Sequence, residues 1–199
     1  MKEQLQKDFD NTIRNLTLSQ KDIEIKKFYL DNFINKGFPN RKEEDWKFSD
    51  LNQIIKKNIG ELSFYSDYTS TNKVDTSAFV DGLEHNKIVF INGRIEKIDF
   101  DYEKKDQIEI IDQSETINKF NSNSSLSDLN SAFTNKSFKI VVKEGYQLTK
   151  PLIIYHTTNS KIWSKNINLR LNFELYENSS LRLIDLFKDT SEKNFLNIF

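Results

Sequence analysis

The chain has no cysteine, two histidines, two prolines, five glycines and one methionine among its 199 residues. Without cysteine it can form no disulfide scaffold, no thiolate nucleophile and no cysteine-ligated zinc or iron–sulfur cluster of its own. The same absence fits a reducing compartment. The polar start MKEQLQKDFDNTIRN has no signal-peptide core, so the expected location is the cytoplasm. No run approaches 18 apolar residues, and no membrane span is expected. Five glycines leave little for a phosphate-cradling loop, and GxGxxG, GxxxxGK[ST], GxSxG and HExxH are all missing. An excess of one charge is missing too. With 29 Lys+Arg against 30 Asp+Glu, the net charge of −1 gives no field to draw in nucleic acid or an anionic membrane.

What is present is aromatic. Sixteen Phe and seven Tyr are enough to build a core despite only 37% apolar residues. Lys outnumbers Arg 24 to 5, and Asn and Ile reach 22 each, which reads as the bias of an AT-rich genome. Charge divides the chain into three stretches. Residues 1–60 carry 12 bases and 10 acids, residues 61–135 carry 7 and 14, and residues 136–199 carry 10 and 6.

Residues 1–60 read as a helical region. Leu5, Phe9, Ile13 and Leu16 share one helix face. Ser19 and Asp22 resemble a capping pair before Ile23, Phe28, Leu30, Phe33 and Ile34. Gly37 ends that helix and Pro39 prevents its resumption. Ser49 is expected to cap a third helix bearing Leu51, Ile54 and Ile55. Residues 61–135 form a mixed connecting region. A loop is expected over 61–80, and a hairpin over 87–100 around Asn92-Gly93, the pair favoured in type I′ turns. Next come a strand at 108–112, a linker at 121–125 and a short helix capped by Ser127 with Leu129 and Phe133 inward. Residues 136–199 are β. The strongest period-2 signal is Ile167, Leu169, Leu171, Phe173 and Leu175 alternating with polar positions. Short strands follow one another without helices, as in a sandwich or the first coils of a solenoid. The last residues, FLNIF, carry no polar terminator, which leads to the expectation of an N-terminal part of a longer protein with an open β edge that self-associates.

Little catalytic chemistry is visible. His85 is expected in a solvated loop and His156 at a strand end, both structural. Two histidines cannot close a transition-metal site without several carboxylates. Glu43-Glu44-Asp45 reads as a solvated face. Arg41, Lys42, Trp46 and Lys47 mix cations and aromatics as RNA-binding patches do, but the interleaved acids oppose that, and Trp46 is expected to pack into the helical core.

The stretch Gly37-Phe38-Pro39-Asn40-Arg41-Lys42-Glu43-Glu44-Asp45-Trp46-Lys47-Phe48-Ser49-Asp50-Leu51 resembles the N-terminal motif of the SufD family, G-[LF]-P-x-R-[KR]-x-E-x-W-K-[YF]-[ST]-x-L. Ile88–Arg94 looks like that family's hairpin, Lys150–His156 like its KP-containing strand, and the run ending Glu177-Asn178-Ser179-Ser180-Leu181 like a first β-helix coil. The resemblance covers residues 20 to 199. It implies an α+β chain, a helical N-terminal domain followed by the first, truncated coils of a right-handed parallel β-helix. It also implies a non-catalytic scaffold role in the SUF iron–sulfur cluster assembly complex, with a SufB-like scaffold subunit and a SufC-like ATPase as partners. The cluster is handled by the full complex, with no cofactor, metal or nucleic acid bound by this segment. The matching motif positions Gly37, Pro39, Arg41, Glu44, Trp46 and Lys47 are expected to be structural. The competing classes are a β-solenoid enzyme acting on polysaccharides and an RNA-binding module centred on Arg41 to Lys47.

Overall fold

The computed structural model describes residues 2–61, 63–64, 74–75, 77, 79–113, 124–158, 162–188 and 193–199. Most of the loop expected over 61–80 and of the linker expected at 121–125 lies outside the described residues.

Three helices open the chain: α1 (Lys2–Arg14), α2 (Gln20–Lys36) and α3 (Leu51–Asn58). Ser19 caps α2 by accepting the Asp22 N–H at 3.2 Å. Gly37 ends it with φ 76°, a conformation that costs glycine nothing, and gives its N–H to Phe33 O at 2.7 Å. The cap of α3 is Asp50 and not Ser49; its carboxylate takes the Gln53 N–H at 3.0 Å. Leu51 and Ile55 are buried, while Ile54 faces outward.

The strands are β1 (Ser63–Phe64), β2 (Asn86–Ile91), β3 (Arg94–Asp99), β4 (Ile108–Asp112), β5 (Lys136–Val142), β6 (Leu152–Thr157), β7 (Lys165–Leu175), β8 (Leu183–Phe187) and β9 (Phe195–Ile198), with helix α4 (Ser125–Phe133) before β5. They form two mixed sheets. One has the order β1-β7-β5-β4 with β9 also paired to β7; the other has the order β3-β2-β6-β8. The expected parallel β-helix is therefore not the fold, and no closed or solenoid sheet is formed among the described residues. Two antiparallel pairs, β2 with β3 and β4 with β5, stand beside parallel ones. The Asn92-Gly93 turn explains the first: both residues have positive φ, 53° and 78°, and fold the chain straight back on itself. Period-2 patterning fixes which face a residue occupies but leaves the strand's partner open, so it could not separate a mixed sheet from a coil. The consecutive strands β5 to β9 alternate between the two sheets, which is how they pair in parallel without intervening helices.

The sheets face each other across one core. Ile88, Phe90, Leu152 and Ile154 come from one sheet, and Phe138, Ile140, Val142 and Leu169 from the other. A second core lies among the helices, where Leu5, Phe9, Tyr29, Leu30 and Phe33 meet Leu129, Ala132 and Phe133 of α4. Helix α4 is buried along nearly its whole length, and its small residues, three serines and an alanine, let it fit between the helices and β7.

Burying so polar a helix requires partners for its polar groups. Asn130 Nδ2 donates to Leu169 O at 3.0 Å and Asn197 O at 2.7 Å. Asn197 Nδ2 donates to Leu126 O at 2.9 Å and Asn168 Oδ1 at 3.1 Å. Asn168 in turn donates to Asn166 Oδ1. Asn166 and Asn168 occupy the polar half of the period-2 pattern, yet both are buried beneath α4.

Lys26 closes the other end of α4. Its Nζ donates to Thr134 O at 2.6 Å and approaches Ser131 O and Ala132 O at 3.4 Å. Burial, with the nearby Arg170 guanidinium adding to it against Asp22, pushes the Lys26 pKa down to about 7. The unfolded chain holds that proton up to the ordinary value of 10.5. Between those values the unfolded state binds more protons, so Lys26 makes stability rise with pH from about 7 towards 10.5. Urea melts at pH 7 and pH 9.5 are expected to show this rise in the wild type and its loss in Lys26→Met. An equal rise in both would remove Lys26 as its source.

Candidate functional site

The motif at 37–51 folds as a surface turn. Pro39 is buried and its carbonyl accepts the Leu51 N–H at 3.1 Å. Asn40 Oδ1 accepts the Lys42 N–H at 3.1 Å, Glu43 Oε1 accepts the Asn40 N–H at 3.2 Å, and a 3-10 turn spans Glu44–Trp46. Gly37 and Pro39 thus shape the backbone, while Arg41, Glu44 and Lys47 point into solvent. Trp46 is half-buried and joins no buried cluster, contrary to the expectation that it packs into the helical core. Its place there is taken by Phe38, edge-on to Phe33 with centroids 5.1 Å apart. Phe48 is 88% exposed, with Lys47 Nζ 5.7 Å above its ring.

Neither histidine lies on the surface. His85, expected in a solvated loop, is buried against Tyr155 of β6, beside Phe79 and Val80, while Asp81 to Glu84 stay exposed. Its Nδ1–H donates to Leu83 O at 2.6 Å, which leaves Nε2 to accept the Tyr155 hydroxyl at 2.7 Å; the same hydroxyl oxygen takes the Val80 N–H at 3.0 Å. His156 is stacked between Phe90 and Phe187, with centroids 5.4 and 4.9 Å away, and its Nε2 lies 2.7 Å from Asp185 Oδ1. The parallel register puts Phe90, His156 and Phe187 side by side on neighbouring strands. The Nε2 atoms of His85 and His156 each reach a residue of a further strand, Tyr155 of β6 and Asp185 of β8, while His85 Nδ1 fixes the loop before β2.

Glu103 has the densest set of donors. Its Oε1 accepts from Asn86 Nδ2 at 2.8 Å, from the Thr149 hydroxyl and N–H at 3.0 Å, and from the Lys150 N–H at 3.0 Å. The Tyr146 hydroxyl donates to Oε2 at 2.7 Å. Burial alone would raise the Glu103 pKa, but the Tyr146 and Asn86 bonds and the two main-chain N–H groups outweigh it and hold the carboxyl at about 2. The carboxylate pins the turn that opens β6 to the base of β2. Its donors lie 17 to 47 residues away in sequence, so no local signal marks it.

Several large apolar side chains are exposed on β8 and at the end of β7. Phe173 and Leu175 of β7 are 36% and 48% exposed, and Leu183, Ile184 and Phe187 of β8 are 44%, 42% and 56% exposed. Tyr176 and Phe199 are half-exposed too. Strand β8 pairs only with β6 among the described residues, and β9 pairs with β7 over Asn166–Leu169, followed by a bond from the Leu171 N–H to Phe199 O at 2.8 Å. Among the described residues, this end of the two sheets thus carries strand edges with no further strand paired to them together with several exposed large apolar side chains.

Among the described residues no group of three or more His, Asp or Glu could hold a metal ion. No helix there is long and apolar enough to cross a membrane. No family model matches the chain, and no curated protein matches it.

Proposed function

We propose that this protein is a non-catalytic, SufD-like scaffold component of cytoplasmic iron–sulfur cluster assembly, acting through protein contacts with a SufB-like subunit and a SufC-like ATPase. The resemblance of residues 37–51, 88–94 and 150–156 to that family's motifs supports this reading. The observation that carries the mode of action is the open apolar end formed by β7 and β8. An edge strand with exposed Leu183, Ile184 and Phe187 can take a further strand by main-chain pairing, with the side chains as anchors. The parallel β-helix implied by the resemblance forms no part of the proposal.

When no partner is present, that end should pair with a second copy. Light scattering at tens of micromolar is expected to show self-association of the wild type. The double variant Leu183→Lys/Ile184→Lys, which puts like charges on two exposed positions of β8 and leaves the Phe187–His156 stack in place, should shift it to monomer without lowering stability. A wild-type monomer across that range would show that the edge is not a contact surface.

A further inference from the structure

Strand β8 reads Leu-Ile-Asp-Leu-Phe, and Asp185 is its one charged residue. Strand alternation puts Asp185 on the same face as Leu183 and Phe187. The register with β6 sets these three beside Leu152, Ile154 and His156, so this face turns to the core between the sheets. Leu183 and Phe187 are nonetheless exposed, and the Asp185 side chain is 43% exposed between them. Its Oδ1 lies 2.7 Å from His156 Nε2, which fixes its position. The nearest cations in sequence are engaged elsewhere. Arg182 Nη2 donates to Thr149 O at 3.2 Å and Lys188 Nζ to Asp75 Oδ2 at 2.8 Å. Asp185 Oδ2 thus stands open to solvent in the middle of an apolar strand edge.

A segment that covers this end buries the carboxylate, and burying a charge without a counter-charge is costly. A second copy of the chain supplies no counter-charge. A two-fold axis keeps each side chain on its own face of the joined sheet, so in an antiparallel pair of β8 strands odd-numbered residues meet odd-numbered ones. Opposite Asp185 it sets Leu183, Asp185 or Phe187, and none of these is basic. An inward-pointing charge on an edge strand limits such self-pairing. We propose that the preferred occupant of the β8 edge is an extended segment of a partner protein that carries a lysine or arginine between two apolar residues at alternate positions. The apolar residues meet Leu183 and Phe187, the cation meets Asp185 Oδ2, and the main chain extends the order β3-β2-β6-β8 by one strand. Asp185 then selects the partner, while the apolar contacts supply most of the affinity. The inference rests on the contact role proposed for this end and names the chemistry of what fits it.

Fluorescence anisotropy of labelled peptides titrated with the full chain tests this. The probes are the end-blocked peptide Ser-Val-Thr-Lys-Thr-Val-Ser and its versions with glutamine or glutamate at the centre. The lysine peptide is expected to bind about three- to fivefold more tightly than the glutamine peptide and about tenfold more tightly than the glutamate peptide. Asp185→Asn, which keeps the shape and the bond to His156, should bring the lysine and glutamine peptides within about twofold of each other. The same variant should self-associate more strongly than the wild type in light scattering, because no charge is then buried between copies. Equal affinity of the lysine and glutamine peptides for the wild type, a preference that survives Asp185→Asn, or no binding of any peptide would overturn the proposal. So would a wild type that self-associates as strongly as Asp185→Asn. Lysine-selective peptide binding without association to a SufB-like subunit would strike the scaffold reading alone. Association with that subunit and no lysine preference would strike this inference alone.

Discussion

Replacing Phe133 by alanine is expected to lower stability by about 3–5 kcal/mol, the cost of deleting a fully buried aromatic ring and leaving a cavity. Phe133 lies at the centre of the helical core. Its ring stacks on Phe64 of β1 with centroids 3.6 Å apart and meets Phe9 of α1 edge-on at 6.0 Å. It thereby ties α4 to the first helix and to the short strand at the edge of β7. Loss of that ring also removes the apolar cover over the polar side of α4, where the asparagine bonds depend on excluding water. In a domain of this size, the loss corresponds to a fall in melting temperature of roughly 6–20 °C. A thermal melt of Phe133→Ala within about 2 °C of the wild type would contradict the placement of α4 in the core.

Glu103→Gln is expected to cost about 2–4 kcal/mol, because a charged acceptor is replaced by a neutral amide whose NH2 faces donors. The pH dependence distinguishes this from simple loss of packing. The Glu103 carboxyl titrates at about 2 in the folded chain and at the ordinary value of 4.5 when unfolded. A depressed folded pKa means its stabilisation is fully present above about 4.5 and disappears as pH falls from there through 2. The wild type should therefore lose stability faster than Glu103→Gln over that interval, and the two curves should converge at the acid end. Parallel curves between pH 6 and pH 2.5, measured by urea denaturation, would show that Glu103 carries no such linkage.

The elements themselves were legible where local chemistry decides them. Ser19, Gly37 and Asn92-Gly93 act on their immediate neighbours, and each marks the helix or turn it was expected to mark. The fold was not legible, because strand partnership is decided by contacts across long separations. The alternating run of β7 shows this most clearly. Its apolar residues pack inward at Ile167 and Leu169 as the pattern requires, but Phe173 and Leu175 on the same face are left exposed beyond the neighbouring strands. Its polar residues at 166 and 168 are buried, because α4 lies across that face. His85 was misplaced for a similar reason, since its polar neighbours hid a partner, Tyr155, seventy residues away. The Glu103 clamp is likewise assembled from distant segments and leaves no spacing to read.

The most direct test of the scaffold role is binding to a purified SufB-like subunit, with and without a SufC-like ATPase, followed by size-exclusion chromatography with light scattering. The wild type is expected to co-elute with the SufB-like subunit. Leu183→Lys/Ile184→Lys is expected to weaken that association at least tenfold while melting at the wild-type temperature. Failure of the folded wild-type chain to associate with either subunit would contradict the proposed function, and association unaffected by the double variant would move the contact away from the open β edge.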